Sequence, residues 1–119
     1  MNSEHEEQVM IFEWAKFNQT KYPCLNFMFA TLNGIRLTIG QAKKAKRAGN
    51  KRGISDVCLP YNNGKYAGLW IELKAGKGRP TKEQKEFIEF MNNQGHYAEV
   101  ITGSFKAIKT IEKYLKNQL

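Results

Sequence analysis

The sequence places two acids and a lysine where they can act on one reacting group, with Asp56 followed by Glu72 and Lys74. Side chains alternate between the two faces of a β-strand. In a strand over 66–74, Glu72 and Lys74 therefore share one face with Trp70. The opposite face carries the apolar residues expected in a core, Leu69, Ile71 and Leu73.

A second strand is expected just before this one, over 56–61, because its residues favour extended structure. The stretch 61–65 supplies Asn and Gly, which tolerate the positive φ angles of a hairpin turn. Pairing of the two strands would bring Asp56 towards Glu72. Two acids facing each other at a buried strand are costly unless a cation compensates them, so we expect a bound metal ion.

The donor atoms of this pair favour a hard divalent ion. Carboxylates of Asp56 and Glu72, with the backbone carbonyl of Leu73, suit Mg²⁺ or Mn²⁺. Such an ion polarises water and stabilises a pentavalent phosphate. Lys74 could lower the pKa of that water or hold the charge that develops on the phosphate oxygens. A Glu-x-Lys triplet is weak evidence alone, because charged and apolar residues alternate along any half-exposed strand.

Basic residues flank the predicted site on both sides, within a formal net charge of +8 and a pI near 9.6. A charged run on a helix is usually only a solvated face. Cations on both sides of a metal site are better explained as clamps on a phosphate backbone, which bind without reading sequence. We predict that DNA binds to Arg36, Lys43, Lys44, Lys46, Arg47, Lys51, Arg52, Lys77, Arg79 and Lys82, with Asn33 beside them.

Length and composition exclude several other classes of protein. The 119 residues predict one globular domain over 1–119. No transmembrane stretch and no apolar signal segment are found, so we expect a cytoplasmic protein with no membrane partner. Cys24 and Cys58 are isolated, which argues against zinc and disulfides. No Walker loop or nucleotide-binding glycine motif occurs, so no nucleotide cofactor is expected.

Periodicity and turn signals predict the element order αβαββαβα, an α/β fold with a mixed central sheet flanked by helices. In the last helix, the apolar residues Phe105, Ile108, Ile111 and Leu115 are expected to face inward. The expected helices cover 3–18, 39–48, 81–94 and 104–116, and the expected strands cover 25–31, 56–61, 66–74 and 97–101.

Three segments resemble the virus-type replication-repair nuclease (VRR-NUC) domain of the PD-(D/E)xK superfamily. They are 53–56 (Gly-Ile-Ser-Asp), 68–74 (Gly-Leu-Trp-Ile-Glu-Leu-Lys) and 78–84 (Gly-Arg-Pro-Thr-Lys-Glu-Gln). The resemblance covers nearly the whole chain and implies a restriction-endonuclease-like core. Ser55 departs from the family pattern, where proline commonly precedes the aspartate. This change removes backbone rigidity but no ligand.

Position by position, the resemblance implies that Asp56 and Glu72 are metal ligands, Lys74 the catalytic lysine and Gln84 an active-site glutamine. Gln84 has an equal structural explanation, because Thr81 and Gln84 match a helix capping box.

An acid from the first helix usually completes such sites, and Glu4, Glu6 and Glu7 compete for this role. We favour Glu4, because Glu4, Gln8 and Ile11 lie on one helical face.

The function implied by the resemblance is a divalent-metal-dependent DNA endonuclease. Small stand-alone members of the family are similar to Holliday junction resolvases and are commonly encoded by phages, which implies a homodimer working in the bacterial host cytoplasm. Two alternatives stay open. One is a catalytically inactive nucleic-acid-binding module, although such a module has no reason to keep acids facing a phosphate. The other is a nuclease that acts on flaps, linear DNA or RNA.

Overall fold

A computed structural model describes residues 2–31 and 36–119. The helices and strands follow the order predicted from the sequence, with one added 3₁₀ turn. The prediction for Asn33 lies outside the described residues. The elements are α1 (Glu4–Asn18), a 3₁₀ helix (Pro23–Phe27), β1 (Phe29–Ala30), α2 (Ile39–Arg47), β2 (Val57–Leu59), β3 (Leu69–Lys74), α3 (Lys82–Asn93), β4 (Tyr97–Thr102) and α4 (Ser104–Leu115).

The four strands form one mixed sheet in the order β1-β2-β3-β4. β2 pairs antiparallel with both β1 and β3, so the predicted hairpin of β2 and β3 is present. β3 and β4 run parallel and are connected through α3, as parallel neighbours require. Val57 lies opposite Ile71, which fixes the register of the hairpin.

One face of the sheet is closed by α1 and α4, which contact each other and β3. Its apolar core includes Ile11, Ile71 and Ile111, all fully buried. Tyr114 of α4 is also buried, and its hydroxyl donates a hydrogen bond of 2.7 Å to the carbonyl of Tyr61 in the hairpin loop. The core thereby fixes the hairpin that carries Asp56 and Glu72.

The strand predicted over 25–31 is mostly wrong. Pro23 opens a 3₁₀ turn that continues to Phe27, and only Phe29–Ala30 pairs with β2. Proline has a fixed φ angle and no N–H, which suits the first position of a helical turn. Asn26 stabilises the turn, because its side-chain amide donates to the Pro23 carbonyl over 3.1 Å.

The inward face predicted for α4 is wrong at Phe105, which is 77% exposed. The helix instead buries Ala107, Ile111 and Tyr114. These three lie at helical spacing on one face, and Phe105 lies on the opposite side. Packing is set by the face that fits the sheet, so small Ala107 enters the core while the larger Phe105 stays in solvent.

Candidate active site

Asp56 and Glu72 lie side by side at the end of the β2–β3 hairpin. Continuing the register of Val57 and Ile71 by one residue places Asp56 opposite Glu72. The Leu73 N–H donates a hydrogen bond of 2.8 Å to Asp56 Oδ2, which holds this carboxylate against β3. Asp56 is 7% exposed and Glu72 is 1% exposed. Two acids are therefore removed from water together.

The carboxylate of Glu72 is buried without hydrogen bonds. Among the described residues, neither Glu72 Oε1 nor Oε2 has a hydrogen-bond partner. Lys74 Nζ lies 3.6 Å from Oε2, within ion-pair range but longer than a hydrogen bond. Burial, followed by the nearby charge of Asp56, raises the pKa of Glu72 to about 8, and Lys74 offsets only part of this shift. Buried carboxylate oxygens normally have hydrogen-bond partners, so the two oxygens of Glu72 can accept a cation.

A backbone carbonyl can join the two carboxylates. The Lys74 carbonyl accepts from the Gly103 N–H over 2.9 Å, on the β4 side of the strand. Successive residues of a strand direct their N–H and C=O groups to opposite edges. Leu73, whose N–H is directed to Asp56, therefore directs its carbonyl past the end of β2 towards the same carboxylate. This geometry leaves the Leu73 carbonyl available to the donor set predicted from the sequence, which stays a prediction.

The residues present fit a divalent ion that keeps several waters. Within residues 2–31 and 36–119, no three His, Cys, Asp or Glu side chains form a metal-binding group. Two carboxylates and one carbonyl are too few for a cage made only of protein, but they match the way Mg²⁺ is bound beside substrate phosphates. The orphaned oxygens of Glu72 supply the unused ligand capacity.

The three acids of α1 occupy different environments. Glu6 Oε1 accepts from the Ser3 N–H over 3.0 Å in a capping box, and the hydrogen bonds with Ser3 lower the pKa of Glu6. Glu7 Oε2 accepts from the Ser104 N–H over 3.0 Å, at the start of α4. Glu6 therefore caps the start of α1, and Glu7 binds the start of α4.

Glu4 points instead at the end of β3. A Cβ atom added to Gly78 would lie 3.5 Å from Glu4 Oε2 and 3.6 Å from Lys74 Cδ, so the Glu4 carboxylate and the Lys74 stem both border Gly78. No hydrogen bond of the Glu4 side chain is found in the part of the chain that the structure describes. Of the three acids, Glu4 is therefore the one whose carboxylate is not used by a helix terminus.

Gln84 forms the capping box at the start of α3. Its Oε1 accepts from the Thr81 N–H over 2.8 Å, and its own N–H donates to Thr81 Oγ1 over 3.2 Å. The structural explanation of Gln84 is therefore confirmed, while its catalytic role stays a prediction.

The cations before Asp56 lie on α2 and in the chain on either side of it. α2 has no buried residue within its described length, and segment 36–55 contains no acid. A cleft of about 720 Å³ lies between α2 and the chain that follows it. The exposed basic residues here are Arg36, Lys43, Lys44, Lys46, Arg47, Lys51 and Arg52, of which Lys43, Lys46, Lys51 and Arg52 line the cleft.

The second group of cations follows Lys74 in the chain. Lys77 and Arg79 are exposed in the loop that follows β3, and Lys82 opens α3. Lys82 Nζ lies 3.9 Å from Glu86 Oε1, so part of its charge is compensated. The two groups of basic residues approach each other at Gly53. A Cβ atom added there would lie 2.7 Å from the backbone of Glu83, which follows Lys82 in α3.

Sequence reasoning missed the role of Thr31. Its N–H donates to the Asp56 carbonyl over 2.8 Å, and its hydroxyl donates to the Ser55 carbonyl over 3.0 Å. These bonds tie the chain on both sides of the α2 segment together and hold Asp56 in place. A contact across 24 residues leaves no local sequence signal.

The fold and the site define a class of protein. A mixed sheet flanked by helices, with an aspartate directly before one strand and Glu-Leu-Lys on the next, is the restriction-endonuclease-like core of PD-(D/E)xK nucleases. The family model of the VRR-NUC domain matches residues 1–105. The chain therefore belongs to the VRR-NUC family and is a nuclease domain. Nucleases of this family generally use divalent metal ions.

Comparison with solved structures supports this assignment. A structure described as a VRR_NUC domain protein aligns over 98% of this chain and 90% of that chain, with 30% identity and a TM-score of 0.80. The comparison with curated proteins finds no match. Across the described ranges, no helix has the length and apolar character needed to cross a membrane.

Proposed function

We propose that this nuclease hydrolyses phosphodiester bonds of DNA with Mg²⁺ or Mn²⁺ held by Asp56, Glu72 and the Leu73 carbonyl. One observation carries the proposal. Glu72 is 1% exposed, lies opposite a second acid and has two carboxylate oxygens without hydrogen-bond partners among the described residues. A folded protein keeps such a group when a ligand completes it.

Each residue of the chain has a separate role. When bound, the divalent ion polarises water and neutralises phosphate charge. Asp56 and Glu72 hold the ion, and the Leu73 N–H keeps Asp56 in the required orientation. Lys74, beside Glu72, supplies positive charge to the scissile phosphate and lowers the pKa of the attacking water.

Glu4 is proposed as the third carboxylate. Its position at Gly78, near the Lys74 stem, supports a role in orienting Lys74. Gln84 is proposed to reach the site with its amide nitrogen, because its oxygen is used in the capping box.

The substrate class follows from the charge around the site. The α2 segment and the loop after β3 present exposed cations before and after the acid pair in the chain, and phosphate contacts of this kind bind duplex DNA without reading its sequence. Selectivity for branched DNA and a homodimer are proposed from the family resemblance. Two copies would present two sites to the paired strands of a four-way junction.

The test is cleavage of labelled linear, flap and four-way-junction DNA, and of an RNA duplex, with Mg²⁺ or Mn²⁺. Wild type is compared with Glu72→Ala and Lys74→Ala. We expect metal-dependent cutting of DNA that both substitutions abolish. DNA binding without cutting in either metal would instead identify an inactive binding module. A stable monomer in a solution mass measurement would contradict symmetrical junction cleavage.

Lys113→Ala provides the matched control for Lys74→Ala. Lys113 lies in the last turn of α4 and is exposed, so it changes the net charge equally without touching the acid pair. This variant should cut at the wild-type rate. An equal loss in both lysine variants would show that total charge, and not the position of Lys74, supports cleavage.

A further inference from the structure

A row of side chains crosses three strands on the face of the sheet that carries the two acids. Phe29 of β1 lies opposite Cys58 of β2, which lies opposite Trp70 of β3. The rings of Phe29 and Trp70 meet edge to face, with centroids 6.4 Å apart. Phe87 of α3 packs on Trp70 in the same geometry at 5.3 Å. Trp70 is thereby held in position from both sides.

This row is the immediate neighbour of the acid pair. Trp70 and Glu72 are two residues apart on one strand, and so are Cys58 and Asp56, so the two rows are separated by about 7 Å on the same face. That distance is comparable with the separation of a phosphate from the base of its own nucleotide. A strand whose phosphate lies at the acids can therefore place an adjacent base at the aromatic row.

The outer end of the row is open. Phe29 is 45% exposed and belongs to the edge strand, while α3 covers the row only as far as Trp70. Trp70 Nε1 is buried and, among the described residues, has no hydrogen-bond acceptor. Phe29 also lies two residues before Thr31, whose N–H donates to the Asp56 carbonyl. An aromatic side chain is thus exposed at the sheet edge beside the acid pair.

We propose that Phe29, supported by Trp70, stacks on a base next to the scissile phosphate and selects DNA in which this base is unpaired. The inference rests on the proposed function. In intact duplex the faces of a base are covered by its neighbours, whereas a gap, flap or junction leaves a face free. Stacking on an aromatic ring accepts any base, so it selects structure and not sequence.

A second copy of the chain is the competing occupant of this edge. β1 has only two residues, so it offers few backbone groups for pairing with another strand. Its continuity with the acid pair favours nucleic acid instead.

The experiment compares two DNA probes of the same sequence in EDTA, where no cutting occurs. In one probe a 2-aminopurine is fully paired, and in the other it is left unpaired at a gap. Anisotropy measures affinity, and quenching of 2-aminopurine measures stacking. We expect wild type to favour the gapped probe by about 5- to 100-fold and to quench its fluorescence. Phe29→Ala should lose this preference and keep its affinity for the paired probe.

Three further variants separate stacking from packing. Phe29→Leu keeps much of the volume without an aromatic face and should behave like Phe29→Ala, whereas Phe29→Trp should keep the preference. Phe17→Ala is the control, because Phe17 is 89% exposed in the last turn of α1, about 20 Å along that helix from Glu4. It should bind both probes like wild type.

Several outcomes would overturn the inference. They are an unchanged preference in Phe29→Ala, a preference retained by Phe29→Leu, and a change from dimer to monomer in Phe29→Ala, which would assign the edge to a subunit contact. Wild type that cuts DNA but binds both probes equally would refute stacking alone. A Phe29-dependent preference without cutting in any metal would refute the proposed function alone, and failure to bind either probe together with no cutting in any metal would refute both.

Discussion

The two faces of β3 both carry fully buried residues and are chemically opposite. On one face Leu69, Ile71 and Leu73 pack under α1 and α4. On the other face Glu72 is as inaccessible as those three, yet its carboxylate has no hydrogen-bond partner in the described chain. Burial alone therefore does not separate a structural residue from a functional one. The useful difference is whether a buried polar atom is satisfied.

The two faces also have opposite effects on stability. Burying an apolar side chain of this size contributes about 1.5–3 kcal/mol. Removing a carboxylate without hydrogen bonds from water is unfavourable, and the raised pKa of Glu72 expresses this unfavourable energy. The apolar face thus stabilises the fold, while the polar face retains a destabilising group that a ligand can use.

Exchanging one residue on each face gives the largest expected contrast. Glu72→Gln should lower the cleavage rate by about 10⁴-fold, or ~5.5 kcal/mol, without lowering the free energy of unfolding of the metal-free protein. Ile71→Ala should lower that free energy by about 3–4 kcal/mol through an unfilled cavity, while the folded fraction still cuts. Urea denaturation and initial rates measure the two effects. Matching stability losses in both variants would contradict the comparison.

The polar face should also make stability depend on pH. The pKa of Glu72 is about 8 in the folded chain and has its ordinary value of 4.5 when unfolded, so between these values the folded state binds more protons. The free energy of unfolding should therefore fall, by roughly 2–4 kcal/mol, as pH rises from about 4.5 to about 8. Denaturation of metal-free protein at both ends of this range measures the slope. Glu72→Gln should remove it, and an unchanged slope in that variant would assign it to other groups.

The three acids of α1 sharpen the comparison at smaller effect. Glu4→Gln should weaken Mn²⁺ binding and cleavage by about 10-fold with little change in stability. Glu6→Gln and Glu7→Gln should leave cleavage unchanged, and Glu7→Gln should destabilise by about 0.5–1 kcal/mol through the weaker bond to Ser104. Calorimetric titration and thermal melting give the two readings. A loss of cleavage in Glu7→Gln alone would move the third carboxylate to that residue.

The smallest effect is expected on α2, which has no buried face. Lys46→Ala or Arg47→Ala should weaken DNA binding by a few fold and reduce the slope of log K against log salt by about 1 each. Protein stability should not change. Lys113→Ala is again the control, and a slope reduced equally in that variant would mean that net charge, and not the α2 surface, binds the DNA.

Much of the fold could be predicted from local patterns. Turn residues, helix caps and alternation gave the element order, because each of these signals depends on a few neighbouring residues. The strand over 25–31 failed because Pro23 starts a 3₁₀ turn in apolar sequence. The prediction for Phe105 was wrong because hydrophobicity does not report which helical face meets the sheet.

The candidate site was predictable only in part. Alternation and the hairpin turn bring Asp56 and Glu72 together, and the structure does so. The burial of Glu72 and its lack of hydrogen bonds depend on how α3 and the other strands cover that face. No local sequence pattern contains this information. The environments of Glu4, Glu6 and Glu7 were equally hidden, since Glu7 is bonded to a residue 97 positions away.

The hydrogen bonds from Thr31 to the carbonyls of Ser55 and Asp56 have a consequence for how such nucleases diversify. They join the two ends of the segment that contains α2. The pairing of the strands therefore does not depend on the length of that segment. Doubling the length of a flexible loop costs only about 0.6 kcal/mol. Evolution, or a protein engineer, can therefore exchange this segment for one of another length or charge while the acid pair keeps its place in the sheet.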